Sequence, residues 1–149
     1  MATFLLKKSY QLKNLEEVKF QDLWGEHGIF TTMWIFGSPP KILFFDRHLK
    51  NLITSLAKYK IKKKSLKKQI IEVINKNLSK KIYYNHLLRV AINKKIISIS
   101  LRKKLSPKLN FSLRLINLKR EKPEYKNLKY RKILSHLKKF DNSSLDIGI

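Results

Sequence analysis

Residues 87–101, with the sequence LLRVAINKKIISISL, contain two apolar segments that are separated by three polar residues. The segments at 87–92 and 96–101 are rich in β-branched side chains, which favour extended backbone. In the second segment isoleucine or leucine alternates with serine, as in a strand whose two faces differ. We therefore predict a β-hairpin that turns at residues 93–95. The residues expected on one face of its second strand are Ile97, Ile99 and Leu101.

The residues before this hairpin predict another hairpin and two helices. IFTTMWIF (29–36) and KILFF (41–45) flank the turn sequence GSPP (37–40), a pattern typical of a hairpin with a loop of several residues. Asp46 then occupies the position of a helix N-cap, and Ser65 could cap a second helix. Apolar residues recur at helical spacing in both, with Leu49, Leu52, Ile53 and Leu56 in the first and Leu66, Ile70, Ile74 and Leu78 in the second.

The two ends of the chain complete the predicted architecture. A short strand and a loop are expected before Gly25, FSLRLINL (111–118) predicts a further strand, and the spacing after Pro123 becomes helical again. Strands and helices grouped in this way predict an α+β fold, with a mainly antiparallel sheet and two or three packing helices. We place an N-terminal α+β domain at 1–122 and the start of a second domain, with a lysine-bearing helix, at 123–149.

The composition limits the classes of protein that fit. Of the 149 residues 43% are hydrophobic, which suffices for one packed core and argues against disorder. The absence of cysteine excludes a disulfide framework and a thiolate metal site, and it fits a reducing cytoplasm. The apolar pattern indicates neither a membrane span nor a secretory signal, so we expect a cytoplasmic protein. The histidines lack partners at metal-ligand spacing, and we predict no metal site.

The net charge of +24 suggests binding to polyanions. However, nearly all of the positive charge is lysine spread along the whole chain, whereas arginine is the better fork for phosphate and guanine. We therefore expect only non-specific, salt-sensitive binding to nucleic acid. A dedicated nucleic-acid-binding protein, using the local cluster IKKKSLKK (61–68), is the alternative.

Three further stretches, WGEHGIFTT (24–32), HLKNLITS (48–55) and PEYKNLKY (123–130), occur in this order, with Arg89 in the strand between the last two. In their spacing and order they resemble motifs of the class IV pyridoxal-phosphate enzymes. That family includes branched-chain and D-amino-acid aminotransferases and aminodeoxychorismate lyase. The Phe-Thr-Thr ending of the first stretch is closer to the lyase branch.

The resemblance implies an activity on an amino-acid-like substrate and a set of site residues. Lys126 matches the family's catalytic lysine, whose neutral amine forms a Schiff base with pyridoxal 5'-phosphate and then moves a proton at the substrate's α-carbon. Arg89 matches an arginine that contacts a carboxylate, and Phe30 and Trp24 match residues that line the substrate cleft. Lys129 is expected inside the following helix, as a surface charge.

Two departures from the family pattern affect the expected site. Asn51 stands where the family has an arginine that binds the cofactor phosphate, so this cofactor-binding position offers hydrogen bonds without charge. Arg47 and Lys50 are possible substitutes. Family members are also considerably longer, so we expect a truncated first part of such an enzyme that needs a complementing C-terminal domain or a homodimer and is inactive alone.

Other interpretations stay open on the sequence. The chain could be a non-catalytic remnant that packs against a partner subunit and exposes an apolar surface. Lys126 could be one more solvated lysine, Arg89 a solvent-facing strand residue, and Trp24 and Phe30 members of the core.

Overall fold

The computed structural model describes residues 4–106, 117, 119 and 121–137, and within them it contains a six-stranded sheet with three helices. Every neighbouring pair of strands is antiparallel, in the order β2-β1-β6-β5-β3-β4. The predicted α+β class is confirmed. The strands are β1 (Phe4–Gln11), β2 (Glu17–Val18), β3 (Gly28–Gly37), β4 (Lys41–Ile42), β5 (Tyr84–Asn93) and β6 (Ile96–Lys103), and the helices are α1 (Phe45–Lys58), α2 (Leu66–Asn77) and α3 (Arg131–Leu137).

The hairpin predicted from residues 87–101 forms the centre of the sheet as β5 and β6. Its register pairs Leu88 with Leu101 and Ile92 with Ile97, and the chain turns at residues 94–95. Because six consecutive residues of β6 are buried, both faces of this strand are covered. The three apolar residues predicted to share a face belong to the main core, namely Ile97, Ile99 and Leu101.

The main core lies between the sheet and the two long helices. The helix residues that enter it are Leu49, Leu52 and Leu56 from α1 and Leu66, Ile70, Val73 and Ile74 from α2. Each fully buried side chain of this size contributes roughly 1.5–3 kcal/mol of transfer free energy. This burial fixes α1 against β3, which is the pairing that later forms the candidate site.

The start of α1 differs from the prediction. Asp46 is not the N-cap: the helix begins at Phe45, and the cap residue Phe44 has left-handed backbone with φ 51°. The hairpin contact persists to Leu43, whose N–H donates to the Trp34 carbonyl, and the chain then turns into the helix at a single residue. Asp46 lies in the first turn instead, where its charge favours the helix dipole. Ser65 is the N-cap residue of α2, as predicted, although its side chain makes no capping hydrogen bond.

Three other predictions concern the C-terminal part. The predicted strand at 111–118 lies outside the described residues. Lys129 is not inside a helix, because α3 begins only at Arg131. The division between a domain at 1–122 and a second one from 123 stays a prediction. Over the described residues, no helix has both the length and the apolar character that a membrane span requires.

Candidate active site

The stretch that carries Lys126 lies along an open edge of the sheet. β4 pairs only with Ile35 and Phe36, so the first half of β3 keeps unpaired backbone groups on that side. The Phe30 N–H donates to the Lys126 carbonyl at 2.8 Å, and the Leu128 N–H donates to the Gly28 carbonyl at 2.9 Å. These bonds hold the backbone from Lys126 to Leu128 against β3.

Asn127 closes the turn that presents Lys126. Its side chain is only 1% exposed, and its Nδ2 donates to the carbonyls of Glu121 at 2.7 Å and Lys122 at 3.2 Å. Its Oδ1 accepts the Lys129 N–H at 3.0 Å. A buried amide with all three contacts satisfied rigidifies its surroundings. The sequence reasoning missed this role, although an asparagine directly after the lysine is a residue type that stabilises turns.

Gly28, the second glycine of the WGEHG motif, lies where no side chain fits. A Cβ at this position would lie 2.3 Å from the Ile92 carbonyl oxygen and 2.7 Å from Leu128 Cδ1. Both neighbours are fixed, one by the β3–β5 pairing and the other by complete burial. Any side chain here would therefore push the Lys126 stretch away from β3. Gly25 has φ +87°, a left-handed conformation that glycine adopts without strain.

Lys126 opens onto a cavity of about 440 Å³ between β3, α1 and the 124–126 stretch. The helix contributes one face, because Asn51, Ser55 and Lys58 are spaced by four and three residues. Thr54 and Ser55 add hydroxyl groups beside the Asn51 amide. The lining residues are Ile29, Phe30, Thr31, His48, Asn51, Leu52, Thr54, Ser55, Lys58, Glu124, Tyr125 and Lys126. The structure thus brings Lys126, Asn51 and Phe30 together around one cavity.

His48 links this cavity to β3. Its Nδ1 lies 3.0 Å from the Thr31 hydroxyl oxygen, within hydrogen-bond distance. Burial lowers the pKa of His48 below its ordinary 6.5, and the positive charges of Lys126 and then Arg47 lower it further. The imidazole is therefore neutral at neutral pH and adds no charge to the cavity. The hydrogen bond to Thr31 holds the imidazole close to the start of α1.

Lys58 supplies the cation on the helix face. Its Nζ lies 5.3 Å from the centroid of the Tyr125 ring, a distance that allows a cation–π contact. Arg47 and Lys50, the substitutes considered for the missing arginine, are not among the cavity residues. Lys58 was missed in the sequence, yet its position seven residues after Asn51 was a signal, because that spacing returns to the same helix face.

Arg89 and Trp24 lie beside the cavity, not in its wall. The Arg89 guanidinium is 4.2 Å from the Trp24 ring centroid and also donates to the Asp22 carbonyl. Burial lowers the pKa of Arg89 to about 10, so it stays charged at neutral pH. The Trp24 and Phe30 rings are 4.9 Å apart, edge to face, and the Tyr130 ring lies 5.4 Å from Phe30. Phe30 thus connects the cavity to this aromatic cluster.

Lys129 has a different environment from Lys126. Its ammonium pairs with the Glu121 carboxylate at 2.7 Å, both side chains are substantially exposed, and it does not line the cavity. Hydrogen bonding to Glu121 raises the pKa of Lys129 above its ordinary value. The expectation that Lys129 is a surface charge is supported.

The donor set of the cavity fits a phosphorylated aromatic aldehyde. The volume lies within the range of small-molecule sites. Asn51, Thr54, Ser55 and Lys58 offer an amide, two hydroxyls and an ammonium to an anionic group, and Lys126 brings an amine to the same space. Across residues 4–106 and 121–137, by contrast, no three His, Asp or Glu side chains cluster so as to hold a metal ion.

The family model for class IV amino-transferases matches residues 28–149, well over half of the chain. The chain therefore belongs to the class IV aminotransferase family. The match begins at Gly28, where β3 starts, and includes the cavity and Lys126. Members of this family generally depend on pyridoxal 5'-phosphate. No curated protein and no solved structure gives a match.

Proposed function

We propose that the chain provides the lysine-bearing part of a pyridoxal-phosphate site, in an enzyme that transaminates or cleaves an amino-acid-like substrate. The observation that carries this proposal is the placement of Lys126. Among many lysines, it stands on a hydrogen-bonded backbone at the open edge of β3 and lines a cavity with phosphate-type donors. The membership in the class IV family supports the same conclusion.

Within the proposed site Lys126 is the catalytic residue. Its amine would hold the cofactor at the aldehyde carbon, and only the neutral amine could do so. When bound, the cofactor supplies an electron sink for the bond that breaks at the substrate's α-carbon. The freed Lys126 amine is placed to take and return the proton at that carbon. The turn held by Asn127 orients the amine toward the cavity.

The helix face of α1 is proposed to bind the cofactor phosphate. Asn51 donates its amide hydrogens, Thr54 and Ser55 donate hydroxyl hydrogens, and Lys58 provides the charge that Asn51 lacks. Because the lowered pKa keeps His48 neutral, its imidazole adds no positive charge to the phosphate site. Lys58, and not Arg47 or Lys50, thus provides the positive charge that binds the phosphate.

The aromatic cluster is proposed as the substrate side of the site. Phe30 belongs to both the cavity and the cluster, while Trp24 holds the Arg89 guanidinium beneath its ring. A charged, partly buried guanidinium attracts the carboxylate of an amino-acid-like substrate. Trp24 and Phe30 give that substrate an apolar boundary.

A further wall is needed to enclose this site. Lys126 is exposed in the described structure, whereas cofactor pockets bury most of the ligand surface. We infer that a complementing C-terminal domain or a second copy of the chain covers the cavity and completes the enzyme.

The proposal is tested by titrating the protein with pyridoxal phosphate and following visible absorbance. A saturable band is expected, and borohydride reduction followed by peptide mass mapping should place the label on Lys126. Lys126→Ala should abolish the band. Lys129→Ala is the matched control, because it removes a lysine of the same turn outside the cavity, and it should leave the band intact. A band that survives Lys126→Ala, or a label spread over many lysines, refutes the assignment.

A further inference from the structure

A second cavity, about 840 Å³ in volume, shares no residue with the cavity at Lys126. Three separate segments line it, at 11–13, 60–63 and 94–96, together with Val18 and Gln21. Six of its twelve lining residues are lysines, a density well above that of the chain as a whole. We call this region the basic cleft. Its lysines are Lys13, Lys60, Lys62, Lys63, Lys94 and Lys95.

Hydrogen bonds between the three segments hold the basic cleft in shape. The Leu12 N–H donates to the Lys95 carbonyl at 2.7 Å, which ties the end of β1 to the β5–β6 turn. The Lys63 ammonium and the Gln69 amide both donate to the Leu12 carbonyl. Lys63 is thus a structural residue that joins the second segment to the first. The cleft is a built concavity and not a chance array of flexible side chains.

Within residues 4–106 and 121–137, the remaining five lysines of the cleft have no carboxylate partner, because the ion pairs there are Lys8–Glu17 and Lys129–Glu121. No acidic residue of the described part of the chain lines the cleft. Ammonium groups that converge without counter-charges repel one another, and a multivalent anion relieves that repulsion. The Glu26 carboxylate lines a smaller cavity together with Lys94 and Lys95, where it accepts a hydrogen bond from Asn93.

The floor of the cleft is apolar. Leu12, Ile61 and Ile96 are at most 8% exposed and lie beneath the lysines, with Val18 partly buried beside them. Among the described residues, no aromatic ring lines the cleft, whereas proteins that bind single-stranded nucleic acids commonly stack the bases on aromatic side chains. A bounded concavity with an aliphatic floor and cationic rim therefore favours a compact ligand over a polymer.

We propose that the basic cleft binds a small organic anion that carries several phosphate groups and an apolar portion. The phosphates contact Lys13, Lys62, Lys94 and Lys95, and the apolar portion lies on the aliphatic floor. Binding at the cleft is independent of the chemistry at Lys126, because the two cavities have no lining residue in common.

The test uses isothermal titration of the full chain with adenosine triphosphate at one fixed ionic strength, because affinity for phosphates depends on salt. Saturable one-to-one binding is expected. The variant with Lys13, Lys62, Lys94 and Lys95 all changed to Gln should bind about tenfold more weakly or worse, since four cationic contacts are lost. The charge-matched control changes Lys67, Lys68, Lys80 and Lys81 to Gln, all exposed and outside the described cavities, and should change affinity less than about twofold.

Three further outcomes decide the assignment. Equal weakening by the two quadruple variants overturns the proposal, because it means that net charge alone attracts the anion. Inorganic tripolyphosphate should bind more weakly than adenosine triphosphate, and equal affinity overturns the role of the apolar floor. A mixed-sequence single-stranded oligonucleotide that binds more tightly than adenosine triphosphate, and loses that binding in the cleft variant, assigns the cleft to nucleic acid instead.

A separate control is Lys126→Ala, which should leave nucleotide binding unchanged. It separates this test from that of the proposed function.

Discussion

In the cavity at Lys126 two lysines stand among a carboxylate, an amide, four hydroxyl groups and a neutral imidazole, whereas the basic cleft gathers six lysines over an aliphatic floor. The first cavity lies where α1 faces the open edge of β3, and the second lies where three loops meet. Both use the most abundant charged residue of the chain. We propose that lysine acts as a reagent in the first cavity and as a source of positive charge in the second.

The difference teaches that the fixation of a lysine, and not the number of lysines, indicates a reagent. Lys126 has its backbone hydrogen-bonded to β3 and a buried amide next to it in the chain, so its side chain starts from a fixed backbone position at the cavity. The cleft lysines, except for Lys63, are exposed side chains that act through their summed charge. A change at the Lys126 stretch should therefore disturb one cavity alone, and a change of the cleft lysines should disturb the other.

The largest expected effect comes from Gly28→Val. The added side chain would overlap the Ile92 carbonyl and Leu128, so we expect a loss of about 3 kcal/mol in the free energy of unfolding. Urea denaturation measures this loss. Affinity for pyridoxal phosphate should fall with it, because the Lys126 stretch is displaced.

Thr32→Val is the matched control for this change. Thr32 lies on the same strand, is half-buried, and gains no atoms in the substitution. Its effect on unfolding should stay below about 1 kcal/mol. If Gly28→Val unfolds no more easily than Thr32→Val, the contacts of Gly28 with Ile92 and Leu128 do not exclude a side chain at this position.

Asn127→Ala should have the next largest effect. The Glu121 carbonyl and the Lys129 N–H lose their Asn127 partner, and the Lys122 carbonyl keeps only the Tyr125 N–H, which costs about 1–3 kcal/mol of stability. The turn that presents Lys126 to the cavity is loosened as well. We expect slower and weaker formation of the visible pyridoxal-phosphate band, with nucleotide binding at the basic cleft unchanged in a protein that is still folded by circular dichroism. Equal losses at both cavities would mean a global defect and contradict a local positioning role.

Lys58→Gln should weaken pyridoxal phosphate about fivefold, the equivalent of about 1 kcal/mol for one charged hydrogen bond. Pyridoxal, which lacks the phosphate, should bind the variant and the original protein equally. Lys50→Gln removes the same charge from an exposed position of α1 outside the cavity and should have little effect. If Lys50→Gln is the more damaging change, the phosphate lies at the start of the helix and not at Lys58.

The smallest expected effect is on His48. The Lys126 charge is one cause of its lowered pKa, so Lys126→Gln should raise that pKa, which proton NMR of the imidazole can follow. It should stay below 6.5, because burial is the larger cause. Lys129→Gln should leave the pKa of His48 unchanged. An equal rise in both variants would show that long-range charge, and not the neighbouring Lys126, lowers this pKa.

The same shift predicts a pH dependence of stability. Between the lowered folded pKa of His48 and the unfolded value of 6.5, the unfolded chain binds more protons than the folded one. Stability is therefore present above pH 6.5 and is lost as the pH falls through that window. His86, whose pKa is also lowered by burial, contributes in the same direction. Replacing both histidines with Gln should flatten this part of the stability profile.

Much of the fold could be predicted because its signals are local. The alternating residues of 96–101 and the helical spacing in α1 and α2 indicate which apolar side chains leave water, and the structure buries most of them. The alternation did not indicate that Ser98 and Ser100, on the other face of β6, are buried as well. The start of α1 could not be read in this way. Asp46 has the residue type of a cap, but the hairpin contact of Leu43 leads the chain to turn at Phe44, two residues before Asp46.

The candidate site was predicted in part. Lys126, Asn51 and Phe30 meet around one cavity as the family resemblance implies, while Arg89 and Trp24 lie beside it. Lys58 could have been found from helical spacing alone. The role of Asn127 could not, because its partners at Glu121 and Lys122 depend on a turn that no periodicity announces.

The sequence by itself determined the α+β class, the central hairpin, the helix faces and the order of the motifs, since each follows from side-chain type at a fixed local spacing. Only the tertiary structure decided that Lys126 is held at the open edge of β3 while Lys129, three residues later, pairs with Glu121 in solvent. It also decided that lysines from three distant segments converge in one cleft. The physical reason is that hydrogen bonding and proximity of charges depend on distances in space, which chain spacing fixes only within a helix, a strand or a turn.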